Sequence, residues 1–218
     1  MIQQMLTQKF LGWVLISDSF SDCLILDWCY VTPSCIDTLY EEHDDGQIVV
    51  SEELESEDQH VGVYVPIDLM TTDEGAGYAE IPVYAEYVGE QLHRIYVDIE
   101  QWVEVREGQE PQRKVLLPSE QQAQRSRQLI GYLTATGGGF LIADTEFALL
   151  CRDFFNNEDS QIIVQPDTED VSPFYAGVFV NIPSDSQDKK FSVYGENEQD
   201  VLKRIAIDLL SVDDVFKK

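Results

Sequence analysis

The chain has 218 residues, 44% hydrophobic and 11% aromatic, and its 41 acidic residues against 14 Lys and Arg leave a net charge of −27. This apolar content excludes disorder as a description of the whole chain, because disordered chains combine high charge with few aromatic and β-branched residues. The surplus charge therefore lies on a folded surface, where self-repulsion destabilises the compact state. It far exceeds the magnitude of roughly 2 to 8 that keeps a small domain soluble, which indicates that the charge serves binding.

Targeting and cysteine signals are weak. No segment approaches the roughly 18 consecutive apolar residues of a membrane helix, and the apolar run Phe10 to Ile16 is short and leads into acids rather than a cleavage site. We therefore expect a cytoplasmic protein with no membrane association. Cys23, Cys29, Cys35 and Cys151 form no CxxC pair and have no His at metal-ligand spacing, which predicts reduced thiols rather than a zinc site.

Five blocks in the first half of the chain recur in the same order in the second half. The matched blocks begin at Phe10 and Leu129 (FLGWVLIS, LIGYLTAT), Cys23 and Phe140 (CLILD, FLIAD), Cys35 and Cys151 (CIDTLYEEHDDGQIVV, CRDFFNNEDSQIIV), Val61 and Ala176 (VGVYVPI, AGVFVNI), and Leu92 and Leu202 (LHRIYVDI, LKRIAIDL). Collinear matches predict a tandem duplication of a unit of roughly 100 residues. We divide the chain into a first repeat (residues 1–106), a linker rich in Pro and Gln (107–124), and a second repeat (125–218).

Each repeat opens with a predicted β-hairpin. In the second repeat, residues 129–136 and 140–143 flank the glycines 137–139, which favour a tight turn between antiparallel strands. Residues 18–22 take that place in the first repeat. A helix should follow, because Thr32 before Pro33 in the first repeat, and Asp144 or Thr145 in the second, are residue types typical of helix N-termini.

The rest of each repeat is predicted to form strands and a closing helix. Segments 47–50 and 61–67, with their counterparts 161–164 and 176–182, are rich in β-branched residues and predict strands. In the second repeat, apolar residues at 201, 202, 205 and 209 follow Asn197 at helical spacing and predict a final helix. Residues 92–103 keep the same spacing in the first repeat, although their β-branched content also permits a strand. The expected fold class is α+β, two tandem copies of a ββαβββα-like unit with antiparallel sheets.

Charge is distributed unevenly along the chain. Between Phe10 and His93 there are 19 acidic residues and no Lys or Arg, and the first repeat has a net charge of −19 against −7 for the second. An ordinary solvated face would be interrupted by lysines, so this stretch indicates a binding surface. The residues predicted to contact a partner are Glu41, Glu42, Asp44, Asp45, Glu52, Glu53, Glu55, Glu57 and Asp58, with Asp73, Glu74, Glu80, Glu86 and Glu90 as a second group.

Motifs for catalysis or ion binding are weak by comparison. An EF-hand needs an Asp-x-Asp-x-Asp-Gly loop ending in Glu, and Asp44, Asp45 and Gly46 match only a fragment of it. The glycines 137–139 are not followed by the Lys-Ser/Thr of a phosphate loop. The three histidines all lie in the first repeat, with no nucleophile motif around them. We therefore expect no enzyme activity, no catalytic or metal-binding residue and no cofactor.

The charge, the repeat and the missing catalytic motifs favour a DNA mimic. Duplex DNA carries one charge per roughly 1.7 Å of axis, so a net charge of −27 corresponds to roughly 46 Å of duplex. In charge, size and lack of catalytic motifs the chain resembles antirestriction and anti-CRISPR proteins of phages and mobile elements. The expected partner is a basic nucleic-acid-binding protein, namely a nuclease, a CRISPR effector or a regulator, rather than nucleic acid itself. The alternatives are an immunity protein that neutralises a basic toxin and a structural or scaffold module.

Overall fold

The fold is described from a computed structural model, within which residues 6–17, 22–36, 46–50, 59–67, 69, 78–105, 125–136, 138–149, 151, 177–182 and 189–209 are placed. These residues are mostly β-strand. The strands are β1 (Leu6–Ser17), β2 (Asp22–Asp27), β3 (Gln47–Val50), β4 (Gln59–Pro66), β5 (Tyr78–Val88), β6 (Gln91–Asp98), β7 (Val103–Val105), β8 (Ser126–Thr134), β9 (Gly139–Ala143), β10 (Gly177–Asn181), β11 (Lys190–Glu198) and β12 (Val201–Asp208). Short 3₁₀ turns cover Trp28–Tyr30 and Ile99–Gln101.

The strands form two antiparallel sheets packed face to face as a sandwich. Sheet A has the order β1-β5-β6-β12-β11-β8, and β7 pairs with the N-terminal end of β5. Sheet B has the order β10-β9-β2-β4-β3. Ile81 and Ile205 of sheet A share one fully buried cluster with Ile25, Val63 and Ile142 of sheet B. The main core therefore lies between the sheets, where every second residue of a strand points.

The helix starts expected after the first strands of each repeat are confirmed within the described residues. Thr32 Oγ1 accepts a hydrogen bond from the backbone N–H of Cys35 at 3.3 Å, and residues 33–36 are helical. Asp144 Oδ1 accepts one from the N–H of Glu146 at 2.8 Å, ahead of helical residues 145–149. Ile36 and Ala148 pack on the outer face of sheet B, against Leu24 and Leu141.

The predicted α+β class is wrong, because both closing helices are strands. Residues 201–208 form β12 and residues 91–98 form β6. Val201, Ile205 and Leu209 are four residues apart, a spacing that fits a strand with period two as well as a helix. Side-chain burial separates the two: Val201 is 52% exposed, whereas consecutive residues 204–207 are all buried, with both faces of the strand covered. Residues 201–208 therefore form a strand of sheet A instead of an amphipathic helix.

The predicted glycine hairpin is also wrong. β8 belongs to sheet A and pairs with β11, whereas β9 belongs to sheet B and pairs with β10 and β2. The chain crosses from one sheet to the other at this turn. A Cβ on Gly139 would lie 2.4 Å from the carbonyl oxygen of Val180, so glycine is required by close packing at this crossing. The strands expected at 47–50, 61–67 and 176–182 are confirmed as β3, β4 and β10, and segment 161–164 lies outside the described residues.

Matched segments of the two repeats occupy matched places in both sheets. From the edges of sheet A inward, β1, β5 and β6 correspond to β8, β11 and β12, and β6 meets β12 at the centre. In sheet B, β4 and β2 correspond to β10 and β9, and β2 meets β9. The two repeats therefore complete each other's sheets. The boundaries at residues 106 and 125 stay a prediction.

Alanine substitutions in β12 separate the observed strand from the expected helix. Ile205→Ala should lower the free energy of unfolding by about 2 to 5 kcal/mol, because it empties space in the main core. Val201→Ala should change it by less than about 0.5 kcal/mol, because that side chain is exposed. Urea denaturation measures both. Comparable losses would show that the two residues share a buried helical face.

Candidate functional site: the paired charge cluster of sheet A

Most of the predicted partner-binding residues lie outside the described part of the chain. These are Glu41, Glu42, Asp44, Asp45, Glu52, Glu53, Glu55, Glu57, Asp58, Asp73 and Glu74. Glu80, Glu86 and Glu90 are described. Glu80 is 3% exposed in β5, Glu86 lies on the same strand with its side chain 13% exposed, and Glu90 is exposed in the turn before β6. Only Glu90 of these three is an exposed surface charge.

The outer face of sheet A carries a cluster that sequence reasoning missed. It consists of Tyr84, Glu86, Arg94 and Asp98 from the first repeat, with Tyr194, Glu196, Arg204 and Asp208 from the second. Both quartets have the spacing Tyr-x-Glu, seven residues, Arg-x-x-x-Asp. Extending the match between Leu92 and Leu202 towards the N-terminus, without gaps, would have found it. We call these eight residues the paired charge cluster.

Two ion pairs cross the seam between β6 and β12. Arg94 Nε lies 2.6 Å from Asp208 Oδ1, and Arg204 Nη2 lies 3.0 Å from Asp98 Oδ2. Arg94 and Arg204 are matched positions, as are Asp98 and Asp208, so the same contact is made twice in opposite directions. The strand register places Arg94 opposite Asp208 and Arg204 opposite Asp98. Antiparallel pairing of two similar strands thus sets opposite charges face to face.

The two ion pairs differ in burial. The Arg204 and Asp98 side chains are 8% and 2% exposed, against 23% and 22% for Arg94 and Asp208. Burial alone would lower the pKa of the Arg94 guanidinium, but the hydrogen bond and the charge of Asp208 raise it above its ordinary value. Arg94 thus stays charged where it lies.

A third arginine extends the cluster to the edge strand β8. Arg127 Nη2 is 3.1 Å from Asp208 Oδ2, and its Nε is 3.4 Å from Glu196 Oε1. Glu196 Oε2 is in turn 3.7 Å from Arg204 Nη1. Asp208 and Glu196 each contact two guanidinium groups, so positive and negative charges alternate from β8 to β6. A network of this kind is held more firmly than isolated surface pairs.

Tyrosine rings lie under the guanidinium groups. Arg204 is 4.3 Å from the centroid of the Tyr96 ring, and Arg127 is 4.1 Å from that of Tyr194. The rings of Tyr84 and Tyr96 stack at 5.3 Å. The contact of Arg204, whose side chain is 8% exposed, is of the desolvated kind that is worth about 2 kcal/mol. Arg204 and Arg127 are therefore fixed by aromatic faces as well as by carboxylates.

A second pair of reciprocal contacts joins the repeats at the ends of β2 and β9. Asp27 Oδ2 accepts hydrogen bonds from the N–H and Oγ1 of Thr136 at 2.6 Å each, and Asp144 Oδ2 accepts one from the N–H of Ser17 at 3.0 Å. Asp27 matches Asp144, and Ser17 matches Thr136. Each repeat thus uses one buried aspartate to hold the turn of the other.

Asp144 has the buried carboxylate of Asp22 as a neighbour. Asp22, 1% exposed, accepts hydrogen bonds at 2.9 Å from the N–H and Oγ1 of Thr145. Burial and the charge of Asp22 raise the pKa of Asp144 to about 7, although the N–H groups of Ser17 and Glu146 oppose this shift. The position matched to Asp22 in the second repeat is Gly139.

The ion pairs predict unequal effects of matched substitutions. Arg204→Met should cost about 3 to 5 kcal/mol of unfolding free energy, because it leaves Asp98 buried and charged without its guanidinium. Arg94→Met, the matched change at a pair that water reaches, should cost about 1 kcal/mol. Urea denaturation at neutral pH measures both. Equal losses of unfolding free energy would show that burial does not determine how much each ion pair stabilises the fold.

Asp144 predicts a pH dependence of stability. Its pKa is about 7 in the folded chain and near the ordinary 3.8 when unfolded, so the folded state binds the proton more tightly. The contribution of Asp144 to stability is therefore present below about pH 4 and is lost as the pH rises through about 7. Asp144→Asn should remove this component, as urea denaturation across that range would measure. Asp27→Asn makes the matched change without an adjacent Asp22, and an identical flattening by that variant would contradict the assignment to Asp144.

No family model, no curated protein and no solved structure matches the chain. Within the described ranges, no group of three or more His, Cys, Asp or Glu could hold a metal ion. No helix in the same ranges is long and apolar enough to cross a membrane. What the chain does must therefore be argued from its own residues.

Proposed function

We propose that this chain is a non-enzymatic binding protein of the cytoplasm, a DNA mimic of the antirestriction or anti-CRISPR type. It occupies the basic surface with which a nuclease, CRISPR effector or regulator holds nucleic acid. The observation that carries the proposal is the stretch from Phe10 to His93, which has 19 acidic residues and no Lys or Arg. Carboxylates take the places that phosphates take in the complex that the partner normally forms.

The placement of the arginines supports this proposal. Arg94, Arg127 and Arg204 are held in the paired charge cluster, and Arg125 Nη2 lies 2.6 Å from Glu100 Oε2. These are all the arginines in the described part of the chain, and each is engaged by a carboxylate of the same molecule. The guanidinium groups of these four arginines are thus neutralised by carboxylates of the chain itself.

The sequence positions of the acids support it as well. Of the 41 acidic residues, 14 lie within the described ranges, and six of those are buried: Asp22, Asp27, Glu80, Asp98, Asp144 and Glu196. The other 27 include the whole first group of predicted partner-binding residues. In this proposal the sandwich is the support, and the segments between strands of the first repeat carry the binding charge. The less acidic second repeat braces the first by completing its sheets.

A charge of this size would act on association before contact. Complementary charge raises association rates by up to about a thousandfold, and the effect falls steeply with ionic strength. The same charge repels nucleic acid, so a basic protein is the partner that the electrostatics select. Single substitutions should have small effects, because the attraction is spread over many carboxylates.

The first experiment is a pull-down from host lysate at about 50 mM salt, with elution by a salt gradient and by competing DNA. One nucleic-acid-binding protein released by both treatments is the expected result. A retained partner that ignores competing DNA would contradict mimicry and point to the immunity role. No partner at all would point to the scaffold role.

Charge reversal then locates the surface. Replacing Glu52, Glu53, Glu55 and Glu57 with Lys should slow association with the captured partner at least about tenfold at low salt. The control replaces four acids of the second repeat, Glu146, Asp185, Asp188 and Glu198, and so makes an equal change in net charge. Stopped-flow association, with folding checked by circular dichroism, should show a much smaller effect for the control. Equal slowing would mean that total charge, and not the first repeat, drives binding.

A further inference from the structure

The seam between the repeats is centred on matched residues. In sheet A, Tyr96 lies opposite Ala206, and these are the same position in the two repeats. In sheet B, Ile25 lies opposite Ile142, again the same position. A matched residue can face its own counterpart only on a two-fold axis. One such axis therefore passes through both sheets, between β6 and β12 and between β2 and β9.

Contacts on either side of this axis are made twice. The Arg94–Asp208 and Arg204–Asp98 ion pairs exchange under the two-fold, and so do the contacts of Asp27 with Thr136 and of Asp144 with Ser17. A surface that contacts its own equivalent is isologous, the type of interface found in two-fold homodimers. The chain thus has, inside one molecule, an interface with the symmetry of a dimer.

We propose that this seam also accepts a repeat from a second copy of the chain, giving a dimer in which two chains exchange their second repeats. Every contact named above joins the first repeat to the second, so each is satisfied equally whether the two repeats belong to one chain or to two. Within one chain, the linker of residues 107–124 holds the repeats together at an effective concentration in the millimolar range. The monomer therefore prevails in dilute solution, and exchange requires refolding at high protein concentration.

The net charge of the chain sets a second condition for the exchange of repeats between two chains. Each chain has a net charge of −27, so two chains repel each other at low ionic strength. The Debye length falls to about 4 Å or less near 0.5 to 1 M salt, which removes most of that repulsion while the buried seam pairs are screened less. Exchange should therefore increase with salt, in contrast to the binding of a basic partner under the proposed function.

The test uses two complementary substitutions at the two-fold axis in sheet A, one that removes a large side chain and one that adds a large side chain. One full-length chain carries Tyr96→Ala, which leaves alanine facing alanine, and the other carries Ala206→Tyr, which sets tyrosine against tyrosine. Tyr96 and Ala206 are 1% and 0% exposed, so neither mismatch can be relieved by solvent. In an exchanged heterodimer, each seam has one tyrosine and one alanine, as in the natural chain. The chain with both substitutions is the control, because it restores that combination within one molecule.

An equimolar mixture, with one chain isotopically labelled, is refolded from urea at about 0.5 M ammonium acetate and weighed by native mass spectrometry. The heterodimer should exceed the two homodimers together by at least about tenfold, because each homodimer retains two mismatched seams. The control chain should fold and show no preference for either single variant. Absence of a heterodimer excess, with the control folded, overturns the proposal. A control that does not fold would show that positions 96 and 206 are not equivalent and would overturn it as well.

Discussion

The antiparallel pairing of β6 with β12 holds the two halves of sheet A together. Its register sets Arg94 against Asp208 and Arg204 against Asp98, and a shift of β12 by one residue would turn Arg204 and Asp208 into the core. β5 and β11 pair outward from this seam, and β1 and β8 pair outward from them. The pairing of β6 with β12 is thus the centre of sheet A, with matched strands of the two repeats in the same order on either side.

The seam also provides partners for some of the carboxylates that are buried in this chain, whose net charge is −27. Six described carboxylates are buried, and buried charges are costly unless they are paired or hydrogen-bonded. Arg127 and Arg204 contact two of these carboxylates, Glu196 and Asp98, and lie on the faces of tyrosine rings. Asp27 and Asp144 are satisfied instead by backbone N–H groups at the ends of β2 and β9. Asp144 is buried beside Asp22, and burial together with the charge of Asp22 raises the pKa of Asp144 to about 7.

Prediction from sequence succeeded where the signal is local. Thr32 and Asp144 act as caps because a short polar side chain can reach a neighbouring N–H wherever the chain turns into a helix. Segments 47–50, 61–67 and 176–182 are strands because their β-branched residues favour extended backbone. Prediction failed where two structures share one pattern. Residues 201–209 have a four-residue apolar spacing that suits both a strand and a helix, and the glycines 137–139 suit a crossing between sheets as well as a hairpin.

The sequence by itself determined the charge surplus, the base-free stretch of the first repeat and the collinear matches between the two repeats. None of these depends on which residues are in contact. Only the tertiary structure decided that, within the paired charge cluster, Arg94 pairs with Asp208 and Arg204 with Asp98 across one seam. Each residue of the cluster lies 110 positions from its match in the other repeat, as Arg94 and Arg204 show. Local secondary-structure preferences cannot predict a contact between residues so far apart in the sequence. Burial decided the rest: the same Arg–Asp motif yields a nearly dry ion pair in one direction and a partly solvated one in the other, because the surroundings of the two repeats differ.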